Sequence, residues 1–182
     1  PKTLTTGGAQ HKRRCIALIG LRGSGKTTVG RQLADLLDGK CVDTDDLVVE
    51  QAGQSIAAIF AQEGEAGFRR REREAIKGLL ATPPAVISVG GGAVLDERNV
   101  EALRRVATLV WLTAPPDVLW QRILSDRAGS ESRPPLTDRI GRDEIEHLLA
   151  QRSPLYEQAA DVAVDTTRRT PREVAEAIIS PT

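Results

Sequence analysis

Gly20-Leu21-Arg22-Gly23-Ser24-Gly25-Lys26-Thr27-Thr28 is the stretch of sequence that decides the fold. It carries the spacing G-x-x-x-x-G-K-[S/T], it follows the apolar run 15–19, and a pattern typical of a helix begins at Lys26. A phosphate loop needs this strand–loop–helix context, because its backbone N–H groups turn toward phosphate oxygens at a helix N-terminus. The alternative is a glycine-rich turn between strand and helix with an exposed lysine, but a chance match to all four fixed positions of the motif is rare. We therefore predict a nucleotide site here.

The side chains of this stretch divide the work of holding ATP and Mg²⁺. Lys26 can reach the β- and γ-phosphates as a point charge, and the Thr27 hydroxyl can ligate the metal. The backbone around them is predicted to cradle the phosphates. The predicted ATP-binding residues of the stretch are Gly23, Ser24, Gly25, Lys26, Thr27 and Thr28.

Short apolar runs alternate with segments of helical periodicity along the rest of the chain. The predicted strands are 15–19, 41–43, 86–89, 108–112 and 162–164, and the predicted helical segments are 26–37, 46–80, 98–105, 116–124, 143–157 and 171–179. This alternation predicts a three-layer α/β/α fold with a five-stranded parallel sheet that is buried on both faces.

The length of 182 residues suits one domain, which we expect at 15–180. Residues 1–14 carry no fold signal and are predicted to be a tail or a linker. Residues 46–80 are too long for one crossover helix, and we expect Gly53, Gly64 and Gly67 to divide them into a small substrate-binding lobe. The polar segment 125–141 is predicted to be a mobile lid.

Composition excludes several classes of protein. The 25 basic and 25 acidic side chains cancel, so the chain lacks the excess positive charge of a nucleic-acid-binding protein. No apolar run is long enough for a membrane span, and no secretory signal is visible. We expect a cytoplasmic protein, by default a monomer. Cys15 and Cys41 lie in predicted strands and are expected to be buried free thiols.

A pair of carboxylates follows the second predicted strand in Asp43-Thr44-Asp45. Alternate residues of an extended segment share a face, so Asp43 and Asp45 are expected to point the same way. One can support magnesium, and the other can accept a hydrogen bond from a substrate hydroxyl. The alternative is that one of them only caps the next helix.

Glycines and arginines elsewhere suggest where a second substrate binds. Gly90-Gly91-Gly92 removes side chains directly after the third strand, which either permits close approach to the backbone or forms a plain turn. Arg69 lies in a charged helical segment whose default interpretation is a salt-bridged surface. Arg133 and Arg152 stand close to prolines, which restrict the backbone.

In order and spacing these motifs resemble the shikimate kinase family, over nearly the whole chain from Cys15 onward. The resemblance rests on six motifs: G-L-R-G-S-G-K-T-T, D-T-D at 43–45, G-E-A-G-F-R-R at 64–70, G-G-G at 90–92, R-P-P-L at 133–136 and R-S-P-L-Y at 152–156. It implies an ATP- and Mg²⁺-dependent enzyme that phosphorylates the 3-hydroxyl of shikimate, a small-molecule partner.

The resemblance also assigns roles to individual residues. Lys26, Asp45 and Arg133 are implied to be catalytic, with Asp45 orienting or deprotonating the attacking hydroxyl and Arg133 closing over the transferred phosphoryl group. Thr27 and Asp43 are implied to support the metal. The implied shikimate-binding residues are Asp45, Arg69, Gly90, Gly91, Gly92 and Arg152, and the implied contacts on the adenine side are Arg127 and Arg169.

Two other functions remain open from sequence. One is a different small-molecule kinase on the same scaffold, such as a gluconate kinase, because the phosphate loop and D-x-D are shared more widely than the substrate arginines. The other is a non-catalytic sensor that keeps the binding site. The joint presence of Lys26, Asp43, Asp45 and Arg133 favours an enzyme.

Overall fold

A parallel five-stranded sheet forms the centre of the molecule. The computed structural model describes residues 15–127 and 141–180. The strands are β1 (Cys15–Ile19), β2 (Cys41–Asp43), β3 (Val86–Ser88), β4 (Ala107–Thr113) and β5 (Val162–Asp165). Their order across the sheet is β2-β3-β1-β4-β5, and every neighbouring pair is parallel.

Helices cover both faces of this sheet. They are α1 (Lys26–Leu36), α2 (Thr44–Ala52), α3 (Ile56–Leu79), α4 (Glu97–Val106), α5 (Pro116–Arg127), α6 (Arg142–Ala159) and α7 (Pro171–Ile179), with a short 3-10 helix at Ala93–Leu95. Helices α1 and α7 pack together on one face, and the 3-10 helix and α6 pack together on the other. The predicted α/β/α fold is confirmed.

Alternation of side chains along the central strands builds two separate cores. Ala17 and Ile19 of β1 face the layer of α3 and α6, whereas Leu18 faces α1 and α7. A third, smaller cluster joins Val48 of α2 to Phe68 of α3. Because β1 is apolar on both faces, the strand that leads into the phosphate loop is held from both sides.

The edges of the sheet depart from the sequence expectation that all strands are buried on both faces. Three of the four residues of β5 are exposed, and all three residues of β2 are only half-buried. An apolar run does not distinguish an edge strand from a central one, because both need β propensity. Cys15 is a buried free thiol, as expected, whereas the free thiol Cys41 is only half-buried because it lies on the edge strand β2.

The lobe expected at 46–80 is divided at two of the three predicted glycines. Gly53 ends α2 in a left-handed conformation, and Gly64 interrupts α3. The predicted break at Gly67 is wrong: this residue is helical and buried, and it lacks a side chain because Glu63 packs against it. The tail at 1–14 and most of the expected lid, at 128–140, lie outside the described residues.

None of the helices within 15–127 and 141–180 is long and apolar enough to span a membrane.

Candidate active site

The carboxyl ends of all five parallel strands lie at one edge of the sheet, which is where α/β folds place their ligands. The phosphate loop (residues 20–27) follows β1, Asp43 ends β2, the glycine run 90–92 follows β3, and the loop that holds Arg169 follows β5. Parallel pairing therefore brings four of the predicted motifs to the same edge.

The phosphate loop has the conformation that its glycines allow. Gly25 is the N-cap of α1. Its backbone lies in the left-handed region, with φ 91°, a conformation that residues other than glycine rarely adopt. Lys26 begins the helix, and its Nζ donates to the carbonyl oxygens of Gly20 at 2.9 Å and Leu21 at 3.0 Å. The ammonium thus lies on the loop itself, beside the backbone N–H groups that would face an anion.

Three oxygen-bearing side chains meet next to the helix that carries Lys26. Thr27 Oγ1 and Ser88 Oγ each donate to Asp43 Oδ2 at 2.8 Å. Hydroxyl and carboxylate oxygens are ligands that Mg²⁺ accepts, so this set fits the ion implied by the sequence. The described residues hold no group of three or more His, Cys, Asp or Glu side chains that could bind a metal alone.

The two aspartates do not share the extended geometry that the sequence argument assumed. The strand ends at Asp43, and Asp45 already belongs to the first turn of α2. Asp43 Oδ1 accepts from the Asp45 N–H at 2.9 Å, so Asp43 caps the helix while its other oxygen contacts Thr27. Capping and metal support were posed as alternatives, but one carboxylate can do both because it has two oxygens.

A pocket opens beside the phosphate loop and is lined by apolar and charged side chains together. We call it the acceptor pocket. Its lining residues are Leu21, Arg22, Asp45, Ile56, Phe60, Phe68, Arg69, Glu72, Gly91, Gly92, Trp120, Ile123, Glu144, Ile145, Leu148 and Arg152. Predicted residues on α2, α3, α6 and the glycine run thus line one cavity, although they are up to about a hundred positions apart in sequence.

The charged residues of the acceptor pocket are mostly removed from water. Asp45 is 7% exposed, Arg152 is 6% exposed and Glu72 is 1% exposed. Arg69 Nη1 donates to Glu72 Oε2 at 2.8 Å, and the Arg69 guanidinium lies against Gly92, where any side chain would overlap it. A side chain at residue 92 would therefore displace the Arg69 guanidinium from its present position.

Glu72 is a site residue that sequence reasoning missed. Burial, the largest cause, raises the pKa of its carboxyl to about 7, while the charge of Arg69 acts in the opposite direction. Its Oε1 is buried and has no hydrogen-bond partner in the described part of the chain. The only sequence signal was its i,i+3 spacing from Arg69, which occurs equally on exposed helices.

Tyr156, the last residue of R-S-P-L-Y, holds the glycine run from the other side. Its hydroxyl donates to the carbonyl oxygen of Gly91 and lies within hydrogen-bonding reach of Arg152. The ring is completely buried and stacks on Trp111, with centroids 5.8 Å apart. Gly90 is held as well, since its N–H donates to Thr44 Oγ1 at 2.8 Å. The glycine run is therefore fixed from α2 and α6 at once.

An arginine that was not predicted contacts the phosphate loop. Arg122 on α5 donates to Thr166 Oγ1 at 2.9 Å and to Gly23 O at 3.4 Å, so it ties the phosphate loop to the loop after β5. Arg169 is exposed on that loop. Arg127 ends α5, but its side chain is outside the described structure, as is the whole of Arg133.

The chain matches the family model "Shikimate kinase" over residues 22–181. A curated relative from Symbiobacterium thermophilum, named shikimate kinase, is 48% identical over 166 residues, which cover 90% of this chain and 93% of the relative. The family match includes every lining residue of the acceptor pocket except Leu21, and most of the phosphate loop.

Solved structures agree with the sequence matches. A shikimate kinase from Acinetobacter baumannii in complex with shikimate superposes with a TM-score of 0.84 at 35% identity, covering 91% of this chain and 90% of that one. A gluconokinase from Sinorhizobium meliloti reaches a TM-score of 0.54 at 18% identity, covering 90% of this chain and 88% of the other. The second likeness extends to the fold alone.

Proposed function

Because the chain belongs to the shikimate kinase family, we propose that it transfers the γ-phosphoryl group of ATP to the 3-hydroxyl of shikimate, giving shikimate 3-phosphate and ADP. The observation that carries the proposal is the acceptor pocket, where Asp45 and two largely buried guanidiniums, Arg69 and Arg152, lie beside the phosphate loop.

The phosphate loop would supply the positive environment of the reaction. Its backbone N–H groups and the N-terminus of α1 attract phosphate oxygens, and Lys26 would exchange its contacts with loop carbonyls for contacts with phosphate. Mg²⁺, when bound, neutralises charge between the phosphates. Thr27 and Asp43 are the residues that would hold it.

Asp45 would act on the acceptor hydroxyl. It lies on the pocket wall, and its backbone is fixed by the bond from its N–H to Asp43. A carboxylate held in this way can accept the proton of the attacking hydroxyl or orient that hydroxyl in line with the phosphoryl group. Arg133, which is outside the described residues, is proposed to stabilise the transferred group.

Arg69 and Arg152 would recognise the carboxylate of shikimate. A guanidinium can donate two parallel hydrogen bonds to a planar carboxylate, and these are strong where water is excluded. Arg69 is already oriented by Glu72, and Arg152 lies next to Tyr156. Because Arg69 and Arg152 are both positively charged, the negative charge of the substrate's carboxylate would be attracted to this part of the pocket. The glycine run would offer its backbone to the ring hydroxyls.

We also propose that the enzyme acts in the cytoplasm as a monomer on a small molecule, without nucleic-acid or membrane partners. The equal numbers of acidic and basic side chains support the part of this proposal that concerns nucleic acid.

The experiment that tests the proposed function is acceptor-dependent release of ADP. The purified chain is incubated with ATP and Mg²⁺, and shikimate, gluconate or no acceptor is added. We expect rapid ADP formation with shikimate alone. Equal rates with gluconate would support the rival kinase, and nucleotide binding without turnover on either acceptor would support a sensor.

A further inference from the structure

Helix α3 is bent at Gly64, and both of its halves line the acceptor pocket. Gly64 has φ 67° and ψ −175°, the only non-helical backbone within Ile56–Leu79. The half before the bend contributes Ile56 and Phe60, and the half after it contributes Phe68, Arg69 and Glu72. The shape of the pocket therefore depends on the angle between these two halves.

One side chain spans the bend. The carboxylate of Glu63 accepts from Arg71 Nη2 at 2.6 Å and Arg71 Nε at 3.0 Å, and from Arg70 Nη2 at 3.0 Å. The side chain also packs on Gly67, where any Cβ would overlap it. Residue 63 belongs to the first half, and its partners belong to the second. The contacts from Glu63 to Arg70 and Arg71 therefore cross the point at Gly64 where the backbone leaves the helical conformation.

The partners of Glu63 are the residues next to Arg69. Arg69 extends to the pocket and pairs with Glu72, while Arg70 and Arg71 pair with Glu63. Of these three consecutive arginines, the first therefore lies at the acceptor pocket and the other two bind Glu63 across the bend. Phe60 and Phe68 also meet across the bend, with ring centroids 5.0 Å apart.

We propose that Glu63 is a positioning residue for the acceptor pocket. Its carboxylate holds Arg70 and Arg71 across the break at Gly64 and so fixes the angle between the two halves of α3. It touches no reacting group and acts through Arg69 and the apolar wall. Because the kinetic readout is the KM for shikimate, this role rests on the proposed function.

The test is Glu63→Gln in the full chain, measured by steady-state kinetics. We expect the KM for shikimate to rise roughly three- to ten-fold. An ion pair with two hydrogen bonds that is partly buried stabilises the fold more than an exposed pair with one hydrogen bond. The kcat and the KM for ATP should stay within about two-fold. A matched control is Glu176→Gln, which removes the exposed ion pair with Arg172 on α7, far from the pocket, and should leave all three constants unchanged.

Two further variants separate positioning from general destabilisation. Arg71→Gln should raise the KM for shikimate less than Glu63→Gln does, because Arg70 still donates to Glu63. The double variant should match Glu63→Gln, since the contact with Arg71 is removed in both. Gly64→Ala leaves every contact in place, since nothing lies within 4 Å of an added Cβ, and strains only the backbone at positive φ. It should raise the KM for shikimate as well.

Amide hydrogen exchange provides a readout that does not need a substrate. Exchange in residues 56–63 should be faster in Glu63→Gln than in the parent chain, with no change in β1 and β4. An unchanged KM, or equal losses for ATP and shikimate, would overturn the positioning role. If the parent chain phosphorylates no shikimate, the proposed function fails, and the exchange of residues 56–63 alone decides whether Glu63 holds the two halves together.

Discussion

The phosphate loop is built from backbone atoms of one unbroken stretch, whereas the wall of the acceptor pocket is built from side chains of several helices and loops. Positive-φ glycines and a helix N-terminus shape the loop, and its lysine contacts the loop's own carbonyls. The pocket instead depends on side-chain contacts such as Arg69 with Glu72 and Tyr156 with Gly91. One region can be recognised in eight residues, and the other needs the folded chain.

This difference explains how the two regions divide the work. A backbone cradle recognises any nucleotide phosphate, so it is shared among kinases that act on different acceptors. Discrimination between acceptors requires charged groups at fixed positions, and the desolvation cost of holding them is visible in the raised pKa of Glu72. We therefore expect variants of the two regions to affect different kinetic constants.

Lys26→Ala should have the largest effect. Removal of one preorganised charge from the phosphate-binding site is expected to lower kcat by roughly 10²- to 10³-fold. Shikimate binding, measured by calorimetry without nucleotide, should be unchanged because Lys26 is not part of the acceptor pocket. Lys77→Ala, at an exposed lysine on α3, is the matched control. Loss of shikimate binding in Lys26→Ala would mean that the two regions are not independent.

Arg152→Ala should affect the acceptor pocket instead of the phosphate loop. A hydrogen bond to a charged group contributes about 1.5–3 kcal/mol, so the KM for shikimate should rise roughly 10- to 150-fold while the KM for ATP stays constant. Arg152→Lys should give an intermediate KM because it keeps the charge and loses the planar fork. A change confined to the KM for ATP would contradict this assignment.

Tyr156→Phe should have a smaller effect, which should appear both in thermal stability and in shikimate binding. The variant leaves the carbonyl of the half-buried Gly91 without its donor, which costs at most about 1–3 kcal/mol and should lower the melting temperature by roughly 2–12 °C. The KM for shikimate should rise a few-fold because the glycine run and Arg152 both lose a contact. A melting temperature equal to that of the parent chain would show that the bond contributes nothing.

Glu72→Gln should have the smallest effect, seen in how stability depends on pH. The pKa of Glu72 is raised from its ordinary value of 4.5 to about 7, so between these values the folded state binds more protons than the unfolded state. The stability contributed by this group is present below pH 4.5 and is lost as pH rises through about 7. The melting temperature of the parent chain should therefore fall more between pH 5 and pH 8 than that of Glu72→Gln. Parallel pH curves would rule out Glu72 as the titrating group.

The sequence predicted the parts of the molecule that depend on local patterns. The phosphate loop and the five strands could be identified because each requires particular residues at adjacent positions. Asp45 was placed in an extended strand because the sequence does not show that β2 ends at Asp43. The contacts of Glu72, Tyr156 and Arg122 could not be predicted, since they arise from packing between segments that are distant in the chain. The break predicted at Gly67 was wrong because, in the sequence, a glycine needed for close packing cannot be distinguished from a glycine that ends a helix.

The central claim is that a generic phosphate loop and a specific acceptor pocket act together on shikimate. The most direct test incubates the chain with ATP, Mg²⁺ and an equimolar mixture of shikimate and gluconate, and measures both acids by mass spectrometry. We predict that shikimate gains the mass of one phosphoryl group, in step with ADP release, and that gluconate stays unmodified. Phosphorylated gluconate, or ADP release with both acids unmodified, would contradict the account.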